Sequence, residues 1–385
     1  LGYDFTIADV GYLRSEEGIA ALAETAGSEL STRTRLADIG RARARFGDRA
    51  ALLIETVLLR RKAQAKLDEA ESWLFTDDAL QQATPSVVAR HRGARLAGRI
   101  VHDVTCSIGA ELSALVPLAD RVIGSDLDPV RLVMAAHNVP GAALVRADAL
   151  HPCTRDTVVI ADPARRSGGK RTHDPAALMP PLPDLLDVYA GRDLAVKCAP
   201  GLDFDRLDWD GEVEVVSLDG GVREACLWSP GLADPGVRRR ASVLQSGGMS
   251  WDLTDAEPDD IPEREPGEWI IDPDGAVVRS GLVRHYAARH GLWQLDPRIA
   301  YLTGDSVPEG VRGFRVLAQL KYTEKALRQE LAARDCGSAE ILVRGLDIDP
   351  AVLRPRLKLR GTTPLSVVLT RIGRTPIAFV CAARD

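Results

Sequence analysis

Ile100-Val101-His102-Asp103-Val104-Thr105-Cys106-Ser107-Ile108-Gly109-Ala110-Glu111 is the stretch on which the fold turns. A β-type run ends in an acidic residue, small residues follow, and a helical pattern begins. That strand, turn and helix order is how α/β proteins bring backbone close to a nucleotide. The dinucleotide signature GxGxxG is absent. An acidic side chain at the strand end repels a pyrophosphate and suits a ligand that carries an ammonium group.

The same arrangement recurs downstream. Short β-type runs at Ile100–Val104, Arg121–Ser125, Ala143–Arg146, Thr157–Ala161, Asp193–Lys197, Glu212–Leu218 and Ala225–Trp228 alternate with helical stretches. Such spacing implies βαβ units and a mostly parallel sheet, whose ligands sit outside the strand C-termini. The second run ends in Asp126-Leu127-Asp128, and Asp126 follows Asp103 by 23 residues. At that distance an acidic side chain accepts from ribose hydroxyls. The third run leads to Asp148-Ala149, where Asp148 is placed to take an adenine amino group. The fourth leads to Asp162-Pro163-Ala164-Arg165-Arg166. Four acidic residues at successive strand ends point to a nucleotide-type ligand with a cationic arm, S-adenosylmethionine ahead of NAD. The expected cofactor residues are Asp103, Thr105, Ser107, Gly109, Glu111, Asp126, Leu127, Asp148 and Ala149.

Outside this region the 385-residue chain divides into further parts. Residues 1–97 are expected to form an all-α domain, residues 98–232 the Rossmann-like domain, residues 233–310 an irregular connection and residues 311–385 a second α/β domain. In the last, the pattern predicts strands at Phe314–Leu320, Ala339–Arg344, Leu365–Arg371 and Pro376–Ala382, with helices at Thr323–Arg334 and Pro350–Leu357. No run of 18 apolar residues exists, so no membrane-spanning helix is expected. The chain begins Leu1-Gly2-Tyr3, without the pattern of a secretory signal, and a first residue other than Met suggests trimming. The six cysteines are scattered and form no CxxC pair, which fits reduced thiols in the cytoplasm, with no zinc or other metal site expected.

The net charge of −6 conceals a polarity. Residues 100–233 carry a net −8 and residues 311–385 a net +7. A basic tail beside an acidic middle suggests a polyanionic partner for the tail, although such a tail also serves as ordinary solvated surface. Its basic residues include Arg312, Arg315, Lys321, Lys325, Arg328, Arg344, Arg354, Arg356, Lys358 and Arg360. The last N-terminal helix adds Arg90, His91, Arg92, Arg95 and Arg99. With few aromatic residues, this surface suits the backbone and shape of folded RNA better than single strands.

The region from Gly98 to Trp228 resembles the class I, Rossmann-like, S-adenosylmethionine-dependent methyltransferases. The wider chain resembles a bacterial family of such enzymes with an N-terminal helical segment and a C-terminal THUMP-like domain. Gln82-Ala83-Thr84-Pro85, Val88-Ala89-Arg90-His91-Arg92, Asp103–Gly109, Asp162-Pro163-Ala164-Arg165-Arg166, Lys197-Cys198-Ala199-Pro200-Gly201, Arg344-Gly345 and Arg356-Leu357-Lys358-Leu359 carry that likeness. Two positions depart from the usual pattern, since Thr105 and Ser107 stand where glycines are customary. Their hydroxyls suit the methionine carboxylate. The resemblance implies that the THUMP-like domain delivers RNA to the catalytic domain.

Methyl transfer from a sulfonium is an in-line displacement, and positioning supplies most of the gain. Asp162 and Pro163 match the start of the Asn/Asp-Pro-Pro-aromatic motif of amino-methyltransferases of this class. Ala164 and Arg165 do not, so Arg165 or Arg166 is left to stack or to pair with a phosphate. Cys198 resembles the nucleophile of uracil C5 methyltransferases, with Lys197 to lower its pKa and Glu224 as base. The alternative is a packing role for Cys198. Lys170, Arg171, His173 and Asp174 follow Gly168-Gly169 and read as a mobile lid or as plain loop. The expected activity is methylation of an exocyclic or ring nitrogen in structured RNA. Three alternatives stay open: pyrimidine C5 methylation through Cys198, a small-molecule acceptor, and a non-catalytic RNA-binding module with a cofactor-shaped pocket.

Overall fold

The computed structural model describes residues 2–165 and 175–383, apart from the side chains of Arg165 and Asp205. The chain divides into two units. The first comprises Leu1–Val213, Glu224–Asp234 and Leu244–Gly248, and the second the remainder.

Six helices open the first unit: α1 (Ile7–Leu13), α2 (Glu16–Ala26), α3 (Arg35–Phe46), α4 (Ala50–Ala63), α5 (Asp77–Gln82) and α6 (Ser86–Ala94). Thr6, Ser15 and Thr76 cap α1, α2 and α5 through their hydroxyls. There follow β1 (Ile100–Asp103), α7 (Ala110–Leu115), β2 (Arg121–Asp126), α8 (Pro129–Asn138), β3 (Ala143–Arg146) and β4 (Val158–Ala161). A short pair, β5 (Ala164–Arg165) and β6 (Leu178–Met179), precedes α9 (Leu182–Val188) and β7 (Leu194–Cys198). β8 (Glu212–Leu218) and β9 (Gly221–Trp228) complete the run, and the unit boundary passes through both.

The strands lie in the order β9-β7-β4-β1-β2-β3. β1 pairs in parallel with both β2 and β4, β2 with β3 and β4 with β7, whereas β9 runs antiparallel to β7. The chain therefore winds outward from β1 through β2 to β3, then returns to β4 on β1's other flank. This reversal opens a crevice beyond the ends of β1 and β4, the usual ligand position in such sheets.

The helices of residues 1–97 were expected as a separate domain. They share one hydrophobic core with the parallel sheet: Leu52, Leu53, Val57, Trp73, Leu74 and Phe75 belong to the same cluster as Val101, Ile108, Leu112 and Ile160. Each such side chain, fully buried, contributes about 1.5–3 kcal/mol. Asn138 fastens the two parts, its side chain donating to Leu74 O and Ile108 O and accepting from Leu74 N.

In the second unit, β10 (Arg239–Leu244) pairs antiparallel with β11 (Trp251–Thr254). Then come β12 (Trp269–Ile271), α10 (Gly275–Ser280), α11 (Val283–His290), β13 (Trp293–Gln294) and β14 (Leu302–Gly304). β15 (Gly313–Lys321), α12 (Glu324–Ala333), β16 (Cys336–Val343), α13 (Pro350–Arg356), β17 (Thr363–Ile372) and β18 (Thr375–Ala382) follow. Seven strands form one sheet ordered β13-β14-β12-β15-β18-β17-β16. The stretch 233–310, expected to be irregular, thus supplies three strands to the sheet of the C-terminal domain. Alternation along β17 feeds two cores. Val367 and Leu369 pack with Leu327, Leu331 and Leu353 of the helices, whereas Val368 packs with Phe314 and Phe379. Among the described residues no helix is long and apolar enough to cross a membrane.

Candidate functional site

A cavity of about 400 Å³ lies at the C-terminal ends of β1, β2 and β4. The turn after β1 shapes its floor. Asp103 Oδ1 accepts from Thr105 N at 3.0 Å, and Ser107 N donates to Asp126 Oδ2 at 2.9 Å. Ser107 has φ +48°, a left-handed conformation that L side chains rarely adopt. Gly109 has φ +90°, and a Cβ there would meet Val139 Cγ2 at 2.9 Å. The surviving glycine of the motif is therefore required sterically.

Asp126 Oδ1 accepts from Asp128 N at 2.9 Å, so both its oxygens are oriented by backbone and each retains acceptor capacity. Asp128 caps α8 through Val130 N and Arg131 N. Asp148 Oδ1 accepts from Leu150 N at 2.9 Å, and Tyr189 Oη donates to Ala149 O at 2.7 Å. Asp103, Thr105, Ser107, Glu111, Asp126, Leu127, Asp148 and Ala149 all line the cavity. Gly109 supports the turn from behind.

Asp162 borders the same cavity. Its backbone N donates to Thr105 Oγ1 at 2.7 Å, so Thr105 links the first and fourth strand ends. Its carboxylate is paired with Lys197 Nζ, which also donates to Thr84 Oγ1 at 2.6 Å. Pro163 is buried behind it. The wall beyond Asp162 consists of Gln82, Ala83, Thr84, Ala164, Met179, Pro180 and Pro181. No aromatic side chain lines the cavity among the described residues. Arg165 contributes backbone to β5, and its side chain lies outside the described residues, as do Arg166, Lys170, Arg171, His173 and Asp174.

Beneath the cavity lies a buried charge cluster. Arg92, 2% exposed, meets Glu111 Oε2 at 2.6 Å and is also paired with Glu224. Glu224 Oε2 lies 4.0 Å from Lys197 Nζ. Glu111 Oε1 is buried with no hydrogen-bond partner among the described residues. Burial pushes the Asp103 carboxyl up to about 7. The Thr105 N–H and Lys197 oppose that rise, and Glu111 and Asp162 add to it. Neither Arg92 nor the Thr84 contact was foreseen. The signal for Arg92 was present, because Val88, Ala89 and Arg92 share one helical face and the first two are apolar.

Cys198 does not line the cavity. It is buried beside Lys197 on alternate faces of β7, with Sγ directed to Val196 O at 3.8 Å. Burial, with the charge of Asp162, pushes its thiol up to about 12, so it stays protonated at neutral pH. Lys197 is engaged with Asp162 and Thr84, and Glu224 with Arg92. Neither is arranged to activate a thiol. All six cysteines are free. Among the described residues no group of three or more His, Cys, Asp or Glu side chains is arranged to hold a metal.

The basic surfaces are also redistributed. On α6 and just after it, Arg90 pairs with Asp68, Arg92 is buried, Arg95 meets Glu212 at 2.7 Å and Arg99 pairs with Asp193. This helix is therefore not the free basic surface expected from sequence. In the C-terminal domain Arg312 pairs with Glu340, Arg328 with Glu324 at 3.3 Å, and Arg344 with Asp272 at 2.7 Å. Arg354 donates to Ala339 O, and Arg356 approaches Glu324. Arg315, Lys321, Lys325, Lys358 and Arg360 are exposed and make no ion pair among the described residues.

The chain is similar to known proteins over its length. The family described as THUMP domain-like matches residues 311–383, and a domain of unknown function matches residues 6–63. Two relatives from Mycobacterium tuberculosis, strains CDC 1551 and H37Rv, are each 62% identical over 353 residues, 88% of this chain and 98% of theirs. Both are named as uncharacterised S-adenosylmethionine-dependent methyltransferases. A crystal structure described as a candidate methyltransferase from Porphyromonas gingivalis W83 superposes with a TM-score of 0.74 over the whole of both chains. At 19% identity that likeness speaks for the fold.

Proposed function

The chain belongs to the S-adenosylmethionine-dependent methyltransferases with a C-terminal THUMP-like domain, and from that premise we propose that it methylates a nitrogen of a base in structured RNA. S-adenosylmethionine supplies a methyl group carried on a sulfonium. The cavity fits that molecule: Glu111 Oε1 is a buried carboxylate oxygen with no hydrogen-bond partner among the described residues, and Asp126 is oriented with acceptor capacity to spare. We assign Asp103, Thr105, Ser107 and Glu111 to the methionine arm, Asp126 to the ribose, and Leu127, Asp148 and Ala149 to the adenine. Gly109 keeps the turn close to the ligand.

The observation that carries the acceptor reading is the setting of Asp162. Its backbone is held by Thr105 and its carboxylate by Lys197, at the edge of the cofactor cavity. A fixed carboxylate there accepts from an amino or ring N–H and aims the nitrogen lone pair at the methyl group, which is the positioning an in-line displacement needs. Thr84, Met179, Pro180 and Pro181 shape the acceptor side in place of an aromatic ring. With its thiol buried and protonated, Cys198 offers no support for a covalent pyrimidine C5 route.

The RNA part of the proposal is supported by the THUMP-like match and by five exposed basic residues that make no ion pair among the described residues. Such residues favour phosphate contacts. Filter binding of the full chain to folded RNA across a salt series tests this. We expect affinity to fall steeply and linearly on a log–log plot, and a flat response excludes RNA as the partner.

A further inference from the structure

Resting on the reading that Asp162 holds the acceptor nitrogen, we infer that Met179 is the surface on which the acceptor ring lies, so that the site takes a flat aromatic base and not an aliphatic amine. Among the described residues that line the cavity, two large apolar side chains are left exposed, Leu127 and Met179, each 58% exposed. Single exposed apolar residues are ordinary on a protein surface. These two stand on the wall of one cavity, each near an acidic strand end. Leu127 directly follows Asp126 at the end of β2, on the side assigned to the cofactor.

Met179 stands on the other side. The cofactor residues assigned above follow β1, β2 and β3, whereas Asp162, Ala164 and Met179 all come from beyond β4. β5 begins two residues after Asp162, and its Ala164 is the register partner of Met179 on β6. Alternation sets the direction of the side chain. Leu178 is buried, and Met179, next along β6, joins the cavity wall. Directly opposed residues of paired strands share a face, and Ala164 brings only a methyl group to that face. Pro180 and Pro181 extend the wall without any backbone N–H.

A fixed carboxylate beside an exposed thioether suits one kind of acceptor. The carboxylate takes an N–H at the edge of a ring, and the apolar wall takes the face of that ring. An aliphatic amine satisfies Asp162 equally well but leaves Met179 in water. A methionine side chain is long, unbranched and polarizable, and its sulfur makes favourable contacts with aromatic rings. It offers no N–H or carbonyl to read a base edge. Met179 therefore selects a ring over a chain, not one base over another. A base lying on Met179 has left its own stack, which places the acceptor nucleotide in a loop, a bulge or an end of folded RNA.

The test compares Met179→Ala, Met179→Leu and Met179→Phe with the unaltered full chain. Two quantities are measured: incorporation of labelled methyl into limiting total RNA from a strain lacking the gene, and affinity for S-adenosylmethionine by calorimetry. Met179→Ala is expected to lower incorporation about five- to tenfold while donor affinity stays within about twofold. Met179→Phe, which replaces the thioether by a ring, should keep incorporation within about threefold of the unaltered chain, and Met179→Leu should recover part of the loss. Unchanged incorporation in Met179→Ala overturns the inference. So does a loss of donor affinity as large as the loss of incorporation, which makes Met179 a cofactor contact. Recovery by Leu but not by Phe marks a packing role and also overturns it. In all three cases the RNA reading is left standing. No incorporation into RNA by unaltered protein that binds the donor removes that reading and the inference together.

Discussion

Lys197 Nζ donates to Thr84 Oγ1 at 2.6 Å while pairing with the Asp162 carboxylate. The cation beside the proposed acceptor site is thus anchored by the segment between α5 and α6. Lys197→Met should reduce transfer at saturating substrate by at least about tenfold while changing donor affinity by less than about threefold. Lys197→Arg should restore part of the loss. A structural role alone would lower folded yield but leave the rate per folded molecule intact, so rates are compared with active-site concentration measured by donor binding.

Arg92 is buried and serves two carboxylates. Removing one partner of a buried ion pair leaves charge without compensation and costs about 3–5 kcal/mol. Arg92→Met should approach that range in urea unfolding. Arg90→Met, on the same helix but exposed and paired with exposed Asp68, should change stability by less than about 1 kcal/mol.

Asp103 should make stability depend on pH in an unusual direction. Its carboxyl is raised to about 7 by burial, against 3.8 ordinarily. The folded protein then holds a proton that the unfolded chain releases, so this contribution is complete below about 3.8 and is lost as pH rises through 7. Between pH 5 and pH 8 the ligand-free protein should lose on the order of 2–3 kcal/mol from this group. Asp103→Asn should flatten that difference. An unchanged pH profile in the variant would contradict the assignment.

Asp162→Ala is expected to lower methyl transfer by about a hundredfold or more, because positioning dominates this chemistry. Cys198→Ala should retain transfer within about threefold once corrected for folded protein, since the thiol is buried away from the cavity and protonated. The reverse pattern, measured as incorporation of labelled methyl, would restore the covalent pyrimidine route.

In the C-terminal domain, Lys321→Ala, Lys358→Ala and Arg360→Ala should each reduce the salt slope of RNA binding by about 0.7–0.9, the share of one phosphate contact. Arg334→Ala should change it less, since Arg334 meets Glu330 at 2.7 Å. Equal effects from all four would mean that ion pairing within the domain does not decide which residues reach RNA.

Periodicity and strand-end chemistry carried much of the architecture. The strands that end in Asp103 and Asp126, and the one that leads to Asp162, fall within a residue or so of their expected bounds, because alternating or fully apolar runs bounded by turns are local signals. What escaped was non-local. Whether Arg92 faced solvent or Glu111 and Glu224 depended on which helix covers which strand, and an arginine in a charged stretch resembles surface. The Cys198 reading followed from a resemblance to uracil C5 methyltransferases and relied on Lys197 to lower the thiol's pKa, but alternation along β7 turns the two side chains apart. The stretch 233–310 seemed irregular because most of its strands, such as Trp269–Ile271, Trp293–Gln294 and Leu302–Gly304, are too short to show a period.

The most direct test of the central claim is transfer of labelled methyl from S-adenosylmethionine to total RNA from a strain lacking the gene, followed by nucleoside analysis. Incorporation by the intact protein, loss with Asp162→Ala, and label on an exocyclic or ring nitrogen are expected. No incorporation into RNA by protein that binds the donor, or label at a pyrimidine C5, would contradict it.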